Sequence, residues 1–132
     1  MRNLRFWFPV FLYSAIIFVI SSLPSQEITF TVIVWDKFLH VIEYAILGLL
    51  LARALVGTRQ WPYLTVWTVT VVLCYLYGLT DEFHQGLTPG REASIGDALA
   101  DFLGGAVGAG IYPFVQQCVS KLKKEDVAHV SP

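Results

Sequence analysis

Charge is what this sequence has least of. Asp, Glu, Lys and Arg together make up 14% of its 132 residues, against about a quarter in soluble domains. So few charges, in a chain this apolar, argue for a bilayer environment and not merely a large core. The net charge of −1 points to no partner, and no nucleic-acid partner is expected. Cysteine is nearly absent as well. Cys74 and Cys118 have no CxxC spacing, which excludes the usual zinc and redox motifs, and both are read as free thiols packed as small hydrophobes. An HExxH pair, a serine elbow and a cysteine–histidine motif are missing too. No internal repeat is evident.

What the chain has in quantity is uninterrupted apolar length, with 55% hydrophobic residues. A hydrocarbon core of about 30 Å needs roughly 20 helical residues. Four stretches meet that length, at about 5–23, 36–56, 62–85 and 95–116. The expected fold is all-α, an integral membrane four-helix bundle forming one domain over 1–120. A polar, loosely ordered tail follows over 121–132. Turn chemistry separates the spans: Pro24-Ser25-Gln26, Gly57-Thr58-Arg59, and Thr88-Pro89-Gly90-Arg91, where Pro-Gly favours a type II turn. Pro62 suits the first turn of the third helix. Ser94-Ile95-Gly96-Asp97 reads as a capping box opening the fourth. The first span also resembles a signal peptide in its basic start. Its apolar run is long and no small-x-small cleavage site follows, so it is read as a retained helix.

Orientation follows from the basic residues. Arg2, Arg5, Arg53, Arg59, Lys121, Lys123 and Lys124, seven of the nine, fall on one side, which predicts both termini in the cytoplasm. Lys37 and Arg91 fall on the other. Trp7, Trp35, Trp61 and Trp67 mostly mark helix ends, as interfacial anchors do.

The remaining polar residues are not scattered. At about 100° per residue, Asp36, His40, Glu43 and Tyr44 share a face of the second helix. Gly78, Glu82 and Gln85 share one on the third, with Asp81 at its flank. Asp97, Asp101, Gly104 and Gly108 share one on the fourth. His40, Glu82, Asp97 and Asp101 lie in roughly the outer third of their spans, so three helices contribute to one layer. Charged groups there are costly and mark function or pairing. Gly104, Gly105, Gly108 and Gly110 include the small-xxx-small spacing that lets helix backbones approach. They are expected to bring the acidic face of the fourth helix against the second and third. His84 and Glu92 are read as interfacial and solvated, and His129 is given no role.

Three blocks of this layer carry a family resemblance: Asp36-Lys37-x-x-His40-x-x-x-Tyr44, Tyr77-Gly78-x-x-x-Glu82-x-x-Gln85, and Pro89-Gly90-Arg91-x-x-Ser94-x-x-Asp97 running into a glycine-rich helix. With the Ser21-Ser22 pair they resemble the VanZ-like family, membrane proteins associated with resistance to the glycopeptide antibiotic teicoplanin. The resemblance implies a multi-pass protein of the bacterial cytoplasmic membrane with a role at the cell envelope. Asp101 stands where that family usually has Asn, an acid in place of an amide donor.

Two readings of the layer follow. In the first, an outward-facing pocket binds, and chemically processes, an anionic envelope amphiphile or lipid-linked precursor. His40 and Glu82 then supply acid–base chemistry and Asp97 orients His40. Lys37 and Arg91 bind the anionic head, or balance local charge. Tyr44, Gln85 and Asp101 complete the ligand contacts. In the second, the cluster is structural, or it binds an amphiphilic antibiotic or a protein partner without chemistry. His40, Glu82, Asp97 and Asp101 would also suit zinc or manganese. No ligand signature accompanies them, and no metal or other cofactor is expected. The acids stop at Asp101, which argues against a continuous ion path. The oligomeric state is open.

Overall fold

The computed structural model describes residues 3–23, 30–91 and 93–130. Among these the chain forms four helices: α1 (Leu4–Ser21), α2 (Phe30–Thr58), α3 (Tyr63–Gln85) and α4 (Ile95–Val130). Each holds a stretch long and apolar enough to cross a membrane. The Pro24-Ser25-Gln26 turn and Glu92 lie outside the described residues, as do the side chains of Lys123, Lys124 and His129.

Three boundaries differ from those expected. The second helix starts at Phe30, six residues before Asp36. No Gly or Pro separates Phe30 from Asp36, so nothing stops the helix extending. The fourth helix continues to Val130, through the stretch expected to be loose. Lys121 to Lys124 are mostly good helix formers, and no glycine or proline occurs before Pro132. Pro62 does not enter the first turn of α3. It has φ −55° and ψ 146°, and its carbonyl accepts the Val66 N–H at 3.1 Å, which makes it the N-cap.

Much of the helix surface is apolar and exposed, including Phe8, Phe11, Leu64, Phe83, Leu103 and Phe114. That pattern suits lipid, which is as apolar as these side chains. Burial follows narrower stripes. On α1 only Val10, Ile17 and Ser21 are buried. This helix packs against α2 and α3 and makes no comparable contact with α4. Its polar tie is to α3, where the Tyr77 hydroxyl donates to the Ser14 carbonyl at 2.7 Å.

The most extensive packing is between α2 and α4, which run in the same direction. Gly104 lies on the backbone of Val41 and Ala45, and Gly108 on that of Ala45 and Leu49. A Cβ at Gly48 would meet the Gly105 carbonyl oxygen at 2.5 Å. Side chains at these positions would hold the helices apart. The glycine face does join α4 to α2. Gly105 also meets α3, where a Cβ would come within 2.5 Å of the Cys74 Cβ.

Pro113 lies inside α4. It lacks the N–H that would bond the carbonyl four residues back, which belongs to Ala109. The Tyr63 hydroxyl of α3 donates to that carbonyl at 2.7 Å. In a bilayer no water is at hand to satisfy such a freed group, so a neighbouring helix must. One turn earlier, Trp67 Nε1 donates to the Ala106 carbonyl at 3.2 Å. Trp67 is therefore a helix–helix tie and not only a marker of a helix end.

Candidate functional site

The α3–α4 connection sets the geometry at one end of the bundle. Gly90 has φ 81°, the left-handed conformation that a type II turn demands at its third residue. The Arg91 N–H closes the turn on the Thr88 carbonyl at 3.1 Å. The turn expected over Thr88–Arg91 is therefore present. Arg91 leaves it half-buried and turned toward a cavity between α1, α2 and α3.

The capping box expected at Ser94 does not form. The Ser94 N–H, which the acid three residues on would satisfy in such a box, donates instead to Glu82 Oε2 of α3 at 2.6 Å. Asp97 is thereby released to face α2. Its Oδ1 takes the Lys37 ammonium at 2.6 Å, and Lys37 also donates to Ser94 Oγ at 3.4 Å. Asp97 lies in the first turn of α4, where the helix dipole also favours an anion. Gly96 leaves room for this pair, since a Cβ there would come within 2.6 Å of Lys37 Nζ.

One turn deeper, His40 Nδ1 is 2.8 Å from Asp101 Oδ1, and both residues are buried. The expected pairing of His40 with Asp97 is corrected here. α2 and α4 run side by side with a near-constant offset, 60 residues for Lys37–Asp97 and 61 for His40–Asp101. Each acid meets the residue at its own level. Asp101 fits because Gly78 has no side chain; a Cβ there would lie 2.5 Å from Asp101 Oδ2. A buried carboxylate on one ring nitrogen fixes the tautomer and orientation of the other.

The cavity holds ≈180 Å³. His40 lines it beside Ser21, Asp36, Glu43, Asp81 and Arg91, with Ile17 and Ile20 supplying apolar wall. Gln85 also reaches it, its amide donating to Asp81 Oδ2 at 2.9 Å. Arg91 Nε and Asp81 Oδ1 are buried without a hydrogen-bond partner among the described residues. A second cavity of ≈350 Å³ lies between α3 and α4, mostly apolar, with Glu82 and Ser94 in its wall.

The sequence profile of the VanZ/LLP1 family matches residues 2–116. The chain belongs to the VanZ/LLP1 family. Comparison with curated proteins and with solved structures finds no match. The matched region of this VanZ/LLP1 chain includes all three sequence blocks and every residue of the polar cluster.

The helices of the VanZ/LLP1 chain gather His40, Glu82, Asp97, Asp101, Lys37, Gln85 and Arg91 at one end. They divide their roles differently from the expectation. Lys37 is paired with Asp97 and Gln85 with Asp81. Tyr44 is fully buried, and its hydroxyl has no partner among the described residues. His84 is not solvated at the interface. It stacks on Phe18 with ring centroids 4.4 Å apart and meets Ser22 Oγ at 2.9 Å.

Asp81, Glu43 and Ser21 also line the cavity; Glu43 was expected on the polar face and Asp81 at its flank, but none of the three was given a role. Asp81 precedes Glu82 and falls off the strict face of α3. A helix packed on two sides buries both flanks, a placement that one-face periodicity does not capture. Donor atoms of His40, Glu82 and Asp101 lie within 4.8 Å of one another, as do those of Asp36, His40 and Asp97. The Lys37 ammonium already occupies Asp97 of the second set. In the first set His40 Nδ1 meets Asp101 Oδ1, while Asp101 Oδ2 and Glu82 Oε1 are buried without a hydrogen-bond partner among the described residues, donor atoms of a kind that zinc or manganese takes.

Proposed function

We propose that this protein is a multi-pass protein of the bacterial cytoplasmic membrane whose α3–α4 end faces outward, with both termini inside. There the cavity under Arg91 binds the anionic head of a cell-envelope amphiphile or lipid-linked precursor. The observation that carries this reading is Arg91 itself. It is half-buried, lines the cavity and, among the described residues, takes part in neither ion pair and keeps a buried Nε without a partner. A guanidinium so held suits phosphate or carboxylate. Lys37, spent on Asp97, balances charge.

The His40–Asp101 pair gives the same cavity a group able to take or give a proton on a bound head. Hydrolysis or group transfer by acid–base catalysis is the reaction class this supports. Retention of such an amphiphile at the membrane surface would connect the protein to glycopeptide resistance, the association its family carries. A second, non-enzymatic reading is favoured by the Glu82–Ser94 and Lys37–Asp97 contacts, which tie helices together. In it the cluster is structural, or holds an amphiphilic antibiotic or a partner without chemistry.

Native mass spectrometry of the detergent-purified protein with dihexanoyl phosphatidylglycerol separates these readings. Arg91→Ala is expected to fold with an unchanged thermal midpoint and to bind this lipid at least about tenfold more weakly, the loss of one charged contact. Unchanged binding with Arg91→Ala would remove the headgroup site and leave the structural reading.

A further inference from the structure

The charges around the cavity do not match a purely anionic guest. Against the single guanidinium of Arg91 stand the carboxyl groups of Asp36, Glu43 and Asp81. The nearby cations do not offset them, because Lys37 is taken by Asp97 and His40 by Asp101. In a low-dielectric wall, like charges beside a bound phosphate repel it strongly. Two further atoms say what is wanted. Among the described residues Asp81, 3% exposed, keeps Oδ1 without a partner, since Gln85 takes only Oδ2. Ser21, also 3% exposed, likewise keeps Oγ without a partner among the described residues. Both residues line the same cavity. Asp81 calls for a donor, which the three carboxyl groups favour as a cation, and Ser21 can accept from it as well.

We infer that the head bound here carries a primary ammonium group beside its anionic group. The ammonium is held by Asp81, Glu43 and Ser21, and the anionic group by Arg91. This rests on the reading of the cavity as a headgroup site and names the class of head. A primary ammonium provides three N–H donors; a quaternary ammonium provides none and cannot satisfy Asp81 Oδ1. At ≈180 Å³ the cavity suits a small head, and the apolar wall of Ile17 and Ile20 suits the start of a lipid chain.

Titration of the purified protein with dihexanoyl phosphatidylethanolamine, phosphatidylcholine and phosphatidylglycerol tests this by native mass spectrometry. The ethanolamine lipid is expected to bind about tenfold or more tightly than the other two, the worth of one charged hydrogen bond. Asp81→Asn, with its isosteric amide, is expected to erase that preference, so that the three lipids bind alike. Free phosphoethanolamine is expected to bind at least about tenfold more weakly than its lipid, because it buries no chain. Equal affinity for the three lipids, unaffected by Asp81→Asn, would overturn the inference and leave the anionic-head reading standing. Equal affinity for free phosphoethanolamine would overturn the assignment to an amphiphile. Binding of none of the lipids would remove the headgroup site itself.

Discussion

Asp101 does two things that its sequence neighbour Asp97, on the same helical face, does not. It is fully buried, and it holds the ring of His40. Asp101→Ala would leave a buried imidazole nitrogen without its partner, a cost of about 1–3 kcal/mol. Asp101→Asn keeps a hydrogen-bonding oxygen and is expected to cost less than about 1 kcal/mol. Chemical denaturation of both variants in detergent checks the order; equal losses would mean that charge, and not the hydrogen bond, holds the pair. Periodicity placed both acids on the face toward α2, but it carries no information on relative register. The choice between Asp97 and Asp101 for His40 depends on where α4 begins beside α2. Capture of the Ser94 N–H by Glu82, a contact that no local motif encodes, contributes to that start. Asp81 was placed at the flank but given no role for a related reason, its flank being covered by a cavity wall that appears only once α1 has docked.

Register is set at the scale of the helices, by glycine. The backbone contacts of Gly104 and Gly108 with Val41, Ala45 and Leu49 continue the ladder that begins with Lys37–Asp97 and His40–Asp101. The small-residue face thus aligns the polar layer as well as closing the bundle. Gly108→Leu would force α4 off α2, and overpacking of this kind typically costs about 1–3 kcal/mol or more. Gly110→Ala should be neutral, since a Cβ there meets nothing nearer than Trp67 Nε1 at 3.8 Å. Thermal unfolding followed by circular dichroism is expected to show a lowered midpoint for the first and none for the second. A tolerant Gly108 would mean that the α2–α4 contact does not set register. The existence of four apolar helices was legible because each span is long and bounded by turn residues. Their ends were less so. Helix propensity over 121–130 is ample although the composition is polar, and polarity alone suggests a tail where the chain can still be helical.

For the molecule as a whole, the direction of the polar end decides what it can meet. The distribution of Lys and Arg predicts that the α3–α4 loop lies outside. Single cysteines introduced at Thr88 and at Arg59, in a background with Cys74 and Cys118 replaced by serine, are expected to differ in whole cells. A membrane-impermeant maleimide should label the first and not the second. The reverse pattern would turn the cavity toward the cytoplasm and exclude an outer-leaflet guest.

The central claim is that the cavity under Arg91 holds the head of an amphiphile. Its most direct test is an experimental density map of the protein extracted with its native lipids. The account predicts a head against the Arg91 guanidinium, with Asp81 and Ser21 on its other side. A cavity filled only by water, or by a metal ion bound to His40 and Glu82, would contradict it.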